Sequence, residues 1–576
     1  MLQPLVETDL YRVYQLPSGL RIAYYPEPSA ISYAGYIVHT GAAQDPNRYH
    51  GMAHLVEHML FKGTPLRKAK SIIHRMEVVG ADLNAYTTKE ETFLYAAFGQ
   101  KYAIRTLQLL TDIVLHSHIP EEELKKEKTV IIEEINSYRD SPAEMIFDEF
   151  EEHLFHGTAL GHNILGSTAS VERITSKAAR EFRQYHYRAD NMILCLRGQF
   201  DLAWIFDFCN YHFGGTPPTK IERPPLSWDP TSALLPNKRH VTHRFDTYQT
   251  HQLIGGFAYS MYDERRIVLT LLNNILGGPG MNSRLNLSLR EEAGLVYSVD
   301  SNYTIFSGGG LFSIYFGCAH RDAKEATQKV LDELMKLSSI PLEADELANA
   351  KRQLMGQLAI SGDARENAFL SMGKSVLFYG KYDALDVIER RIQAITAEQL
   401  QSTAQELFAP RLIRVEGACD TYENYYHIVS FRDKIKAVQK LTRRLPIRRG
   451  IIFVGRSFDA EHALEKLRFE GIKAVALLGQ ERRDQRRAAL DAIRAGRANL
   501  LISTDLAARG LDIEDVDYVV HLDLPEDVRT YRHRAGRTAR AGKAGAVISL
   551  VDEREIDKLK ALAARMEIEL SRVPRT

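Results

Sequence analysis

The sequence predicts an α+β body followed by an α/β domain built on a parallel sheet. Three observations carry this prediction. Residues from about 1 to 215 and from about 235 to 410 each read as strands interleaved with long helices, and Pro-rich punctuation around Pro217, Pro218, Pro224, Pro225, Pro230 and Pro236 separates the two stretches. Beyond about 410, apolar runs at 451–454, 474–478, 499–503, 518–522 and 545–551 alternate with helical stretches, as in a parallel doubly wound sheet. The charge balance also changes: residues 421–576 hold 31 Lys+Arg against 23 Asp+Glu, whereas the preceding 420 hold 43 against 51. A basic domain behind an acidic one suggests separate partners, with nucleic acid the natural candidate for the basic part. Domains are therefore expected at 1–215, 236–410 and 411–576, each with its own core in a chain of 576 residues.

The chain is 45% hydrophobic, but no apolar run approaches the roughly 18 residues of a membrane span. Residues 1–7 lack the basic start and apolar core of a signal peptide. Cys195, Cys209, Cys318 and Cys419 have neither metal-binding nor redox spacing. A soluble protein of the reducing cytoplasm is expected, with no membrane partner.

Residues 51–64 place His54, Glu57 and His58 in a His-x-x-Glu-His array. On a helix the two histidines are four apart and share a face, so both can hold one metal ion. Glu57 lies on the same turn, where it can take a proton from a metal-bound water. This order is the inverzincin signature, the reverse of the commoner His-Glu-x-x-His motif. The plain alternative is a helix with two surface histidines. Residues 121–136 also read as a helix, with Glu127 and Glu134 seven apart on one face. One of these carboxylates added to two imidazoles would leave a fourth position open for water, as in catalytic zinc sites. A solvated acidic helix is the alternative there.

These segments together resemble the pitrilysin / mitochondrial processing peptidase family of zinc endopeptidases. The resemblance implies that His54, His58 and Glu134 are ligands of Zn2+, that Glu57 is the general base, and that Glu127 supports the site. Glu133, next to Glu134, is the alternative ligand, and the seven-residue spacing favours Glu134. Two further segments are similar to that family. Residues 80–95 resemble the strand beside its active site, with Asn84, Ala85, Thr87, Glu90 and Thr92 on recurring positions. The implied role of Asn84, Ala85 and Thr87 is substrate binding, because an open strand edge accepts a peptide by main-chain hydrogen bonds. Residues 281–298 resemble the family's Arg/Tyr element, which implies that Arg290 and Tyr297 donate to a developing oxyanion. By themselves those residues read as a helix and then a strand. The resemblance further implies two homologous peptidase halves, each an antiparallel sheet with helices, closing around an extended peptide, in a homodimer or a heterodimer with a related inactive subunit.

The basic domain carries its own motifs. Residues 501–512 and 531–540 resemble motifs V and VI of DEAD-box RNA helicases, and 451–455 fits motif IV. This implies a second RecA-like domain, in which Arg537 and Arg540 are arginine fingers for ATP beside Arg534, Asp512 contacts the ribose, and Thr504 lies at an RNA backbone. The first RecA-like domain is missing. No Gly-x-x-x-x-Gly-Lys-[Ser/Thr] phosphate loop occurs; Met372-Gly-Lys-Ser375 is a near miss with Ala368 in place of the first Gly, and no Asp-Glu-Ala-Asp is present. Arg483 also stands where the helicases often carry a Gln. The C-terminal domain is expected to bind RNA weakly and to hydrolyse no ATP without a partner domain. The abrupt join near 411 looks like a fusion or chimera. The main functional expectation is a zinc metalloendopeptidase cutting extended or unfolded peptides, with Glu57 and zinc-bound water as base and nucleophile. The alternative is a nucleic-acid-binding fusion protein on an inactive peptidase-like scaffold.

Overall fold

The computed structural model describes residues 2–139, 141–214, 240–245, 249–408, 412–419, 423–445, 447–455, 457–477, 483–505, 513, 516–538, 545–566, 568 and 570–573. The chain lays down β1 (Val6–Glu7), β2 (Arg12–Gln15), β3 (Arg21–Pro26) and β4 (Ile31–Val38), then helix α1 (Met52–Leu60). A small hairpin of β5 (Gly63–Thr64) and β6 (Arg67–Lys68) leads to α2 (Ala69–Glu77), β7 (Asp82–Thr87) and β8 (Thr92–Gly99). Helices α3 (Ala103–His116) and α4 (Glu121–Arg139) follow, and β9 (Met192–Gly198) returns to the sheet after further helices.

The sheet order is β1-β2-β3-β9-β4-β8-β7. All seven residues of β9 are buried, which matches its near-continuous apolar run and its central position. The expected antiparallel sheet is corrected at one pairing, because β3 and β9 run parallel from Arg21 opposite Ile193 to Pro26 opposite Gly198. A parallel partner requires a long crossover, and the helices between β8 and β9 supply it. Helices α1, α3 and α4 cover one face through Leu55, Met59, Leu107, Leu110, Leu124 and Ile131.

A second sheet orders β10 (His240–Phe245), β14 (Ile413–Cys419), β11 (Thr250–Ala258), β13 (Gly310–Cys318) and β12 (Val296–Ile305) as β10-β14-β11-β13-β12. Helices Arg266–Gly277, Ala323–Ser339 and Ala397–Phe408 pack on it. The helix Arg365–Tyr379 instead packs against the other face of the first sheet, setting Phe369, Met372 and Val376 on Phe93, Ile193 and Cys195. Division by compactness gives one unit of 1–241 with 251–415 and another of 242–250 with 416–576. Ile413 and Val415 are buried with Phe150, Leu253 and Phe306, so the start of β14 completes the core of the first unit.

In the second unit β15 (Glu423–Ile428), β16 (Gly450–Phe453), β17 (Ala474–Leu477), β18 (Leu500–Ser503), β19 (Tyr518–His521), β20 (Ala546–Val551) and β21 (Ser571–Arg572) are ordered β17-β18-β16-β19-β20-β15-β21. Every pairing is parallel, and apolar cores lie on both faces. A parallel sheet covered on both sides is consistent with a RecA-like fold. Among the described residues no helix is long and apolar enough to cross a membrane.

Candidate metal centre

Helix α1 is buried on nearly every side, with only His58 partly open. This burial places the helix inside the body, with His54 enclosed and His58 partly open. Its start is held by Asp45, whose carboxylate accepts the N–H groups of Gly51 at 2.6 Å, Met52 at 3.2 Å and Ala53 at 2.8 Å. Those are donors that a helix leaves unpaired at its first turn. Gly51 has φ of +91°, and a Cβ there would meet the Leu165 carbonyl oxygen at 2.5 Å, so only glycine fits this entry.

Helix α4 lies against α1 and brings its acidic face to the imidazoles. Glu134 Oε2 is 3.9 Å from His54 Nε2 and 3.9 Å from His58 Nε2. One donor atom from each of the three residues lies within 4.8 Å of the others, the one such His/Cys/Asp/Glu cluster among the described residues. Donors about 2.0–2.2 Å from a tetrahedral zinc are separated by roughly 3.4 Å, so a small closure of this set holds the ion. Two nitrogens and one carboxylate oxygen are also the donor chemistry of catalytic zinc. Glu133 is exposed and does not belong to this cluster.

Glu127 serves the ring behind the ligands. Its Oε2 is 3.1 Å from His58 Nδ1, and its Oε1 is 2.5 Å from Lys62 Nζ. A carboxylate on the far nitrogen fixes the ring so that Nε2 faces the ion. His54 has no such support: its Nδ1 is buried without a hydrogen-bond partner among the described residues. Burial pushes the His54 imidazole down to about 3, reinforced by His58, so the ring is neutral, as a metal ligand must be. Burial pulls His58 down too, but the Glu127 hydrogen bond and the Glu57, Glu127 and Glu134 charges outweigh it and raise its pKa. Glu57 is held above the usual carboxylate range by burial, against the Thr87 hydrogen bond and the His58 charge, with Glu134 adding to the rise. For Glu127 burial acts upward, but hydrogen bonds with His58 and Lys62 and their charges hold its carboxyl below the usual range.

Strand β7 forms the last position of the first sheet and, among the described residues, pairs with β8 alone. Asn84, Ala85 and Thr87 all lie on it. Asn84 Nδ2 donates to Asp82 Oδ2 at 3.0 Å, and Ala85 is partly buried against the core. Thr87 Oγ1 donates to Glu57 Oε2 at 2.5 Å. Glu90 is 3% exposed and accepts the Ser307 N–H at 2.8 Å, which ties the turn after β7 to the second half. Arg290 lies in the helical turn Asn286–Glu292 and Tyr297 in β12, with the guanidinium 5.9 Å from the ring centroid. Tyr297 is 83% exposed, and among the described residues no hydrogen bond, ion pair or ring contact joins this pair to the His54, His58 and Glu134 cluster.

In the second unit, Arg534 is bonded within the domain. Its Nε and Nη2 donate to Asp505 at 2.6 and 2.8 Å, its Nη1 to the Asp523 carbonyl at 2.6 Å, and it is 3% exposed. A guanidinium spent on two neighbouring segments braces the domain instead of reaching out of it. Arg537 follows the same helix, its N–H donating to the Arg534 carbonyl at 3.2 Å. Thr504 is buried just after β18. Asp512 and Arg540 lie outside the described residues. The near-miss phosphate loop falls within the helix Arg365–Tyr379, where Lys374 pairs with Glu91 at 2.9 Å.

The profile for insulinase (peptidase family M16) matches residues 21–168, and that for the peptidase M16 inactive domain matches 173–354. An uncharacterized zinc protease of Bacillus subtilis is 30% identical over 400 residues, covering 69% of this chain and 95% of that protein. The chain belongs to the M16 peptidase family. A second M16-like relative, an uncharacterized zinc protease of Streptomyces coelicolor, is 30% identical over 407 residues, covering 69% of this chain and 87% of its own length. The solved peptidase M16 inactive domain from Pseudomonas fluorescens superposes with a TM-score of 0.64 at 21% identity, covering 71% of this chain and 98% of that one. A protease from Helicobacter pylori superposes with 0.63 at 18% identity, covering 71% and 99%. At those identities the likeness is one of fold. The profile for the helicase conserved C-terminal domain matches residues 433–542.

For this M16 chain, sequence reasoning missed Asp45, Lys62 and the partner of Thr87. Lys62 had a signal, since it stands four residues after His58 on the motif's own face. Asp45 and Thr87 had none, because each meets α1 only through the fold.

Proposed function

We propose that this M16 protein is a zinc-dependent endopeptidase acting on extended or unfolded peptides. The observation that carries the proposal is the convergence of His54 Nε2, His58 Nε2 and Glu134 Oε2, on the same helix face that presents Glu57. Bound zinc would supply Lewis-acid chemistry, polarising the scissile carbonyl and acidifying a water. Glu57 takes the proton of the attacking water and returns it to the departing amide nitrogen. Its buried setting favours this exchange by lifting the carboxyl toward neutral pH. The free edge of β7 offers a row of N–H and C=O groups to which an unfolded peptide adds as a strand, with Asn84 and Ala85 at the point of addition. Arg290 and Tyr297 act as oxyanion donors from a second subunit, either a copy of this chain or a related inactive protein. Their exposure is what such a role across an interface requires.

The C-terminal domain is, in this proposal, one RecA-like half of a DEAD-box helicase fused to the peptidase. It binds RNA weakly, and Arg537 and Arg540 meet ATP only when another chain supplies the first RecA-like domain. The test is zinc content and cleavage of an unstructured peptide, comparing wild type with Glu57→Gln. About one zinc in both proteins with cleavage by wild type alone supports the endopeptidase. Absence of zinc, or equal cleavage by both proteins, overturns it.

A further inference from the structure

We infer that Thr87 is a positioning residue for Glu57, anchoring Oε2 of the carboxylate so that Oε1 is the atom that takes the proton. This inference deepens the endopeptidase proposal and rests on it for its chemistry. Thr87 Oγ1 lies 2.5 Å from Glu57 Oε2 and 3.3 Å from Thr92 Oγ1. A hydroxyl has one proton to donate, so the direction of each contact decides what Thr87 does. Thr92 gives its own proton to the Thr40 carbonyl at 2.9 Å. Thr92 therefore has no proton left for Thr87, and the Thr87 proton goes to Glu57.

The consequence is an asymmetry in the base. Glu57 is 8% exposed, and the Thr87 hydroxyl is the hydrogen-bond donor recorded for its carboxylate among the described residues. A hydroxyl donating to a carboxylate makes a short, charge-assisted bond, and losing it frees the χ3 rotation that exchanges the two oxygens. The hydroxyl is itself fixed by β7, whose Thr87 pairs in register with Thr92 of β8. A general base gains from such fixing because proton transfer needs the oxygen within about 2.6–3.2 Å of the water it deprotonates. Along β7, Ala85 and Thr87 share one face, Ala85 against the core and Thr87 at the base, while Asn84 lies on the opposite face.

The test compares zinc-loaded wild type, Thr87→Val and Thr87→Ser. Thr87→Val keeps the shape and removes the hydroxyl, and Thr87→Ser restores it. The expected result is a kcat lower by at least tenfold in Thr87→Val, with KM and zinc stoichiometry within twofold of wild type, and most of the rate recovered in Thr87→Ser. A raised KM with kcat intact overturns the inference, because it makes Thr87 a substrate contact. Crystal structures of wild type and Thr87→Val give an answer that does not depend on turnover. A Glu57 carboxylate that rotates or loses order in Thr87→Val supports the anchor, and one that stays in place overturns it. If wild type binds no zinc, the endopeptidase proposal fails, and the structural comparison still decides the anchor.

Discussion

Glu127 Oε2 stands 3.1 Å from His58 Nδ1 while its other oxygen holds Lys62. This pairing links the His58 imidazole to a lysine four residues on, in the turn that follows α1. The carboxylate orients the ring, and the lysine keeps the carboxylate ionised. His54 has no equivalent support, so the two imidazoles depend unequally on their surroundings.

Removing the support should weaken the site without abolishing it. Glu127→Gln is expected to lower zinc affinity by about 10–100-fold, the usual cost of losing a carboxylate behind a ligating histidine. Competition against a chelator of known affinity measures this. An unchanged affinity would remove Glu127 from the account.

Glu134→Gln should be more severe. The side chain of Glu134 is 35% exposed, so its loss leaves the core intact and the fold stable. Zinc stoichiometry by elemental analysis should fall from about one toward zero, with circular dichroism unchanged. Retained zinc would point to Glu133 as the ligand.

The apoprotein should lose stability in acid through His54. This imidazole titrates near the ordinary 6.5 when unfolded and at about 3 when folded. Between those values the unfolded chain binds a proton that the folded chain refuses, so stability rises with pH across the window. The contribution is fully present above about pH 6.5 and is lost as pH falls toward 3. Asp45 acts in the opposite sense, since burial pushes its carboxyl from 3.8 up to about 7, against three backbone hydrogen bonds. The relevant measurement is therefore the difference in melting temperature between apo wild type and apo His54→Asn, in which the Asp45 contribution cancels. A difference independent of pH would contradict the assignment.

Arg534→Met is expected to destabilise the C-terminal domain. The guanidinium is buried, while its partner Asp505 is 45% exposed, so solvent screening reduces the cost. About 1–3 kcal/mol is expected, read as a lower denaturation midpoint. Stability equal to wild type would show that the Asp505 and Asp523 contacts do not brace the domain.

Much of this protein is legible in its sequence because the signals are local. The four-residue spacing of His54 and His58 and the seven-residue spacing of Glu127 and Glu134 are properties of a helix, and each helix forms as its apolar period dictates. The alternation of apolar runs with helices likewise foretells the parallel sheet of the C-terminal unit, since buried parallel strands need apolar residues on both faces. The tertiary structure decided what depends on residues far apart in the chain. It set β9 parallel to β3, seated β14 in the second sheet, capped α1 with Asp45, aimed Thr87 at Glu57 and turned Arg534 inward to Asp505. Each of these is a hydrogen-bonded pairing between separated segments, and periodicity within one segment carries no information about its partner.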